Sequence, residues 1–250
     1  PVPPWEVRNG GNPTLTIGEE RVTPTWVAVR DLSDGHSLEL SVSPQSVADS
    51  GAVSLTGHAL RFLPDLNTPA SFTATVTAKA GGEVLDTATY TATLSRSTAK
   101  VPLLPGWNLI SIPLRPDNPD VTIVLAGSGI NGSPGPAAWR WGGSGFTLSP
   151  TLEPCHGYWV YGTKAVTLSI TGSKIARHAL PLLPGWHLVG PVAEQAPFSD
   201  QCIFPPLWGW NGVTQTYDPV EASEPLKPGF AYWLMALEPG CTITTSADSR

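Results

Sequence analysis

The 250-residue chain is poor in charge. Only 14% of its residues are Asp, Glu, Lys or Arg, well under the ~25% of an ordinary soluble domain. Its net charge of −6 supplies no basic footprint for nucleic acid or for an anionic membrane surface. Cysteine is scarce, at three residues, and no CxxC or Cys/His cluster marks structural zinc. The five histidines (His36, His58, His156, His178 and His187) stand apart with no HxxxH spacing, so no metal site is expected from them. No apolar run approaches the ~20 residues of a spanning helix, and no signal peptide is visible. The chain opens on "PVPPWEVRNGG" without an initiator methionine, and Met235 is its one methionine. This reads as a processed product or an excerpt of something longer.

Catalytic motifs are missing as well. GxGxxG, the P-loop and HExxH do not occur, and the serines of "AGSGING" and "GGSGF" do not form a G-x-S-x-G elbow. Asp117, Asp120, Glu153, Asp218, Glu221 and Glu224 fall in loop-like stretches, at spacings that single out no acid/base couple. The expectation is a protein that is not an enzyme and carries no cofactor.

What the sequence has is turn chemistry and aromatics. With 25 glycines, 27 prolines and 41% hydrophobic residues, it favours many short strands around a real core over long helices. From Val22 to Leu94, "WVAVRDL", "SLELSVS", "ALRFLP", "SFTATVTA" and "TATYTATL" alternate apolar and polar residues as half-buried strands do. The turns "SDGH", "ADSG", "PDLNTP" and "KAGGEV" separate them. Such spacing predicts a sandwich. "TLTIG" within residues 1–20 is a first strand or an extended arm, and "SRSTAKVP" at 95–102 reads as a linker.

The stretch "VRDLSDGHSLELSVS", followed by "LRFLPD" and "FTATVTAKAGGEVLDTATYTATL", resembles the Ig-like and cadherin-like modules of bacterial surface proteins. Some such modules bind calcium through closely spaced aspartates. Asp31 and Asp34 match part of that pattern, with His36 where another acid would help, and a polar turn is the competing reading.

Beyond residue 97 the chain repeats itself. "PLLPGWNLISIP" (102–113) returns within "LPLLPGWHLVGP" (180–191), "AWRWGGSGFTLSP" (138–150) as "LWGWNGVTQTYDP" (207–219), "LEPCHGYWVY" (152–161) as "LKPGFAYWLM" (226–235), and "VTLSITGS" (166–173) as "CTITTSAD" (241–248). Four blocks in the same order indicate an internal duplication. In each copy Pro-Gly makes a tight turn, the WxW pair places two indoles on one strand face, and a Gly-Gly or Asn-Gly turn follows. The "LxPGWNLIS…P" opening with WxW and GYW blocks behind it resembles a repeat near the ends of many bacterial and archaeal extracellular and S-layer-like proteins. Copy two departs from that pattern, with "WHLVGPV" for "WNLISIP" and Ala231 for the glycine before Tyr-Trp. The resemblance implies secretion or display at the cell surface and brings no catalytic residues.

The expected architecture is therefore all-β: an arm or first strand (1–20), an Ig-like β-sandwich (21–97), and two duplicated small Trp-rich β domains (98–176 and 177–250), or one fused pseudo-symmetric unit. Among ten tryptophans, Trp139, Trp141, Trp208 and Trp210 are the candidate ligand platform, with filling of the small repeat cores as the competing role. Cys202 and Cys241 are the expected disulfide, leaving Cys155 free or bridged between chains, although three cysteines allow three pairings. Asn131 in "NGS" is a glycosylation sequon that is equally a turn. The expected function is that of a structural building block in a surface layer, stalk, adhesin or filament, self-assembling by strand addition of its N-terminal arm. Its partners would be copies of itself or other surface proteins, without nucleic acid or membrane insertion. The alternative is a carbohydrate-binding accessory module of a secreted enzyme, with a polysaccharide as partner.

Overall fold

In a computed structural model of the chain, residues 7–25, 36–126, 137–198, 201–221 and 223–247 are described. The fold is all-β, with two short helices among the described residues. It divides into two compact units, Pro1–Ser95 and Arg96–Arg250.

The first unit is a sandwich of two sheets. Its strands are β1 (Val7–Gly11), β2 (Thr14–Leu15), β3 (Arg21–Pro24), β4 (His36–Ser43), β5 (Val53–Thr56), β6 (Ala59–Phe62), β7 (Ser71–Ala80) and β8 (Glu83–Leu94). One sheet runs β1-β8-β7-β4, with β2 also on β8, and the other runs β3-β6-β5. Strict alternation makes β7 an inward row of Phe72, Ala74, Val76 and Ala78, with threonines between them. Phe62 and Phe72 bridge the sheets at 6.2 Å between ring centroids. The buried Tyr90 hydroxyl donates to the Pro24 carbonyl at 3.0 Å. Gly10 lies against that tyrosine, where any Cβ would overlap its ring. Residues 7–11 and 14–15 thus form first strands, paired parallel to β8 of their own chain. A short helix α1 (Gln45–Asp49), anchored by Val47, takes up the first half of the expected "ADSG" turn, and β5 was not expected at all. The predicted strand "WVAVRDL" lies outside the described residues, as do Asp31 and Asp34.

The second unit holds both copies. The first half contains β9 (Arg96–Leu103), β10 (Gly106–Ser111), β11 (Arg115–Pro116), the helix α2 (Val121–Val124), β12 (Ala138–Trp141), β13 (Phe146–Ser149), β14 (Gly157–Gly162) and β15 (Val166–Ser173). The second half contains β16 (Arg177–Pro181), β17 (Gly185–Val189), β18 (Ile203–Asn211), β19 (Thr216–Pro219), β20 (Tyr232–Ala236) and β21 (Thr242–Ser246). The four-stranded sheets β10-β14-β12-β13 and β17-β20-β18-β19 have corresponding strands in the same order. A smaller sheet backs each one, β11-β15-β9 in the first half and β16-β21 in the second.

Two expectations need correction. Residues 95–102 are not a linker: they enter β9, which pairs along β15 from Arg96 to Leu103. Val101 and Leu103 carry that strand into the core, while its Ser, Thr and Lys residues face outward and give it a loop-like composition. The boundary therefore lies at 95/96, not 97/98.

The tryptophans, in turn, do not fill the small repeat cores. The first half's core is aliphatic with one tyrosine, built from Leu103, Ile110, Leu152, Tyr158, Val160 and Leu168 among others. The second half's core lacks tryptophan too, and gathers Phe198 and the two cysteines Cys202 and Cys241 around Val189, Leu226, Tyr232, Leu234 and Ile243. Each four-stranded sheet turns one face to its own core. Because strand side chains alternate, the other face carries the tryptophans, and the two such faces meet in a third cluster. Leu109, Trp159, Leu188 and Ala231 form its centre, and Trp139, Trp141, Trp210 and Trp233 pack around them.

Candidate functional site

The seam between the two halves is built reciprocally. Ile110 bridges to Phe230, and the counterpart His156 bridges to Val189. The Ser111 N–H donates to the Gly229 carbonyl at 3.1 Å, and the Gly190 N–H to the Cys155 carbonyl at 3.0 Å. The Trp141 indole donates to the Trp186 carbonyl (2.9 Å), and the Trp210 indole to the Trp107 carbonyl (2.8 Å). Residue i of one half contacts residue j of the other, and the contact is returned. That is the signature of a two-fold interface, here within one chain.

Local sequence places each ring. Gly106 and Gly185 take the left-handed conformation after proline (φ 97° and 121°), so the chain reverses tightly before each tryptophan. In the first half the Asn108 amide closes that turn, accepting from the Leu104 N–H and donating to the Leu104 and Gly106 carbonyls. In the second half His187 Nε2 lies 2.6 Å from the Leu183 carbonyl. The WxW strands β12 and β18 then put Trp139 and Trp141, and Trp208 and Trp210, on the seam face. The hairpin partners Phe146 and Tyr217 stand directly opposite Trp141 and Trp210.

The rings meet edge to face, the arrangement aromatic quadrupoles favour. Trp159 packs on Trp210 at 4.7 Å and, reciprocally, Trp233 on Trp141 at 5.3 Å. Phe146 touches Trp141 and Trp233, while Tyr217 touches Trp210 and Trp159. The Trp233 indole donates to the Tyr217 hydroxyl at 3.1 Å. Trp107 and Trp186 remain 40% and 41% exposed at the two ends.

Two troughs open between these rings. One, of about 480 Å³, is lined by Trp141, Trp186, Trp208, Tyr217 and Trp233. The other, of about 390 Å³, is lined by Trp107, Trp139, Phe146, Trp159, Trp210 and Tyr217. Each takes rings from its own half and borrows the second WxW tryptophan from the other. Neither is lined by a carboxylate, an amine or a guanidinium. Gln215 breaks the symmetry. Held at φ 58°, it reaches across from the β18–β19 turn, where its Oε1 accepts from the Trp107 N–H and its Nε2 donates to the Trp107 carbonyl. The matching turn in the first half, Gly142–Gly145, is glycine-rich and carries no such side chain.

All four platform candidates therefore lie on the seam, partly buried, and the troughs use them all. Sequence reasoning missed the rest of the lining: Trp107, Trp159, Trp186, Trp233, Phe146 and Tyr217. The signal was present, since the PGW and YW tryptophans recur in both copies just as the WxW pairs do.

The acidic residues mostly have structural employment. Asp117 pairs with Arg96. Asp120 accepts from the Thr122 hydroxyl and from the Thr122 N–H at the start of α2, bonds that hold its carboxyl below the usual range. Glu153 lies 3.5 Å from Arg140, and Asp218 accepts from Asn211. Glu221 and Glu224 sit on a surface turn. Among the described residues no three His, Cys, Asp or Glu side chains gather as metal ligands. Cys202 is joined to Cys241. Cys155 is free and buried, and desolvation pushes its thiol up to about 12, which makes it a poor nucleophile. It also takes a left-handed conformation (φ 63°), as does Gly229 at the matching position (φ 90°). Asn131 lies outside the described residues. No protein-family model matches the chain, and no curated protein sequence is significantly similar to it.

Proposed function

We propose that this is a non-catalytic extracellular protein whose second unit holds neutral polysaccharide by stacking sugar rings on the tryptophans of the two troughs. The observation that carries this reading is the pair of open, uncharged aromatic troughs, each inside the 300–1,000 Å³ range of small-molecule sites. A pyranose has a flat C–H face that an indole covers, while its hydroxyls at the ring edge stay in water. The indole N–H groups of Trp141, Trp210 and Trp233 are engaged by protein acceptors. What these three offer a ligand is ring faces. A lining without formal charge disfavours anionic ligands.

The setting rests on other observations. The Cys202–Cys241 disulfide belongs to oxidising compartments, and the PGW repeats resemble those of surface proteins. The matching strand orders of the two halves support an internal duplication. The two-sheet first unit fits an Ig-like or cadherin-like module that carries the binding unit. A layer or filament subunit is the second reading, favoured by the edge strand β13, which exposes Phe146 and Leu148 (46% and 65%). Assembly by the N-terminal arm would require residues 7–15 to leave their pairing with β8.

Depletion on insoluble cellulose, chitin, xylan and mannan tests the proposal, alongside the Trp139→Ala/Trp208→Ala double variant. These two rings make few contacts: Trp139 meets Trp107 edge to face, and Trp208 meets no other ring among the described residues. Retention of the parent on one polysaccharide, weakened at least tenfold in the variant, is expected. Lack of retention on all four, with regular filaments or sheets in negative-stain micrographs, would favour the assembly reading instead.

A further inference from the structure

The geometry points to one continuous groove: the two troughs receive a single neutral oligosaccharide running across the seam, rather than two separate short ligands. This rests on the carbohydrate reading above and goes beyond it in ligand length, stoichiometry and mode of recognition.

Three observations carry it. First, the troughs adjoin at a shared ring. Tyr217 lines both, with its ring against Trp210 and Trp159 and its hydroxyl on the Trp233 indole. Phe146 of one trough likewise touches both Trp141 and Trp233 of the other. No charged side chain lines either trough to separate the apolar floors.

Second, the reciprocal contacts make the groove two-fold. A chain with direction, passing from one end to the other, meets the same rings in reversed order. Recognition that depended on directed donors and acceptors would fit one half and misfit the other. Stacking has no such direction, because a ring face serves a sugar whichever way the glycan runs. The same point disfavours an extended proline-rich peptide, which aromatic grooves hold partly through donors to its carbonyls. The three indole N–H groups noted above are already bonded within the protein.

Third, the ends differ. Gln215 covers the backbone of Trp107, while the glycine-rich turn of the first half sets no such side chain over Trp186. The trough on the Trp186 side is the larger. It is the expected primary site, from which a longer chain extends past Tyr217 to the second.

Calorimetric titration of the full chain with cello-oligosaccharide and chito-oligosaccharide ladders, from disaccharide to octasaccharide, tests this. Joining two weak sites on one ligand raises affinity by an effective-concentration factor, on the order of 100-fold. The expected result is a steep rise in affinity once the ligand spans both troughs, with stoichiometry falling from two ligands per chain to one. Trp139→Ala and Trp208→Ala should each abolish the rise while keeping short-oligomer binding in the other trough, and circular-dichroism melts confirm that both fold. Two equal sites at every length, with flat affinity, would overturn the single groove and leave the carbohydrate reading standing. Silence on both ladders together with no polysaccharide retention would remove both, as would preferential binding of a polyproline peptide.

Discussion

Trp141 of the first half donates its indole N–H to the backbone carbonyl of Trp186 in the second, and the favour is returned from Trp210 to Trp107. Each half thus secures its partner's PGW turn with the inner tryptophan of its own WxW pair. The rings that line a trough are also the rings that hold the halves together. Ligand binding and the stability of the second unit are coupled through the same side chains.

Trp141→Phe keeps an aromatic ring and removes that N–H. The Trp186 carbonyl loses one neutral hydrogen bond at a partly exposed site, so the expected cost is about 1 kcal/mol, with a further loss from the smaller ring. Trp210→Phe should cost about the same by symmetry. Urea unfolding followed by tryptophan emission measures both. A cost near zero for either would mean the N–H bond contributes nothing beyond what water supplies.

The two copies differ most tellingly where they touch. A Cβ on Gly157 would fall 2.7 Å from the Leu188 Cβ and 2.8 Å from the Ala231 Cβ, and a Cβ on Gly190 would run into Ser111. Where one half has glycine, the facing half has a side chain. Gly157→Ala should therefore destabilise by about 1–3 kcal/mol through overpacking, and Ala231→Gly in the same chain should recover part of it. Gly190→Ala with Ser111→Gly is the second cycle. Costs that simply add, with no recovery in either double variant, would show that the glycines are needed for some other reason.

These pairs also show what the sequence could and could not disclose. Period-two alternation made most strands of the first unit legible, and the repeated blocks gave the strand content of the second. The departures in copy two, Ala231 and Gly190, are visible in the sequence without an evident reason. Only the pairing of halves gives them meaning, because each is complementary to a residue some 74 to 79 positions away in the repeat. The WxW tryptophans could be placed on one strand face from spacing alone. Whether that face met a private core or a second half depended on a tertiary contact that no local pattern encodes. β9 was hidden for a related reason, since its exposed Ser, Thr and Lys residues outnumber the two buried apolar ones.

The disulfide is confined to the second half, where it closes a loop with a sequence separation of 39. Loop-closure entropy assigns it about 4 kcal/mol of stabilisation. Replacing both Cys202 and Cys241 by alanine should lower the unfolding free energy by roughly that amount or somewhat less. Hydrogen exchange should show β18 and β21 losing protection before β10 and β14. Equal loss in both halves would mean that the second unit unfolds only as a whole.

His178 supplies a pH dependence with a definite sign. Burial, and then the charge of nearby His156, hold its imidazole below the ordinary value. The folded chain therefore binds this proton more weakly than the unfolded chain does, whose imidazole titrates near ~6.5. Above that pH both states are neutral here and the contribution is constant. As pH falls through about 6.5 the unfolded state takes up the proton first, so stability declines, and the decline levels off below the folded value. His178→Gln should leave stability near pH ~7.5 almost unchanged and flatten the fall between about pH 6.5 and 5, above the range where most carboxylates titrate. Urea midpoints at half-unit pH steps for parent and variant decide the matter: parallel curves would assign the acid-side loss to other groups, while divergence at low pH, with the variant the more stable, would assign it to His178.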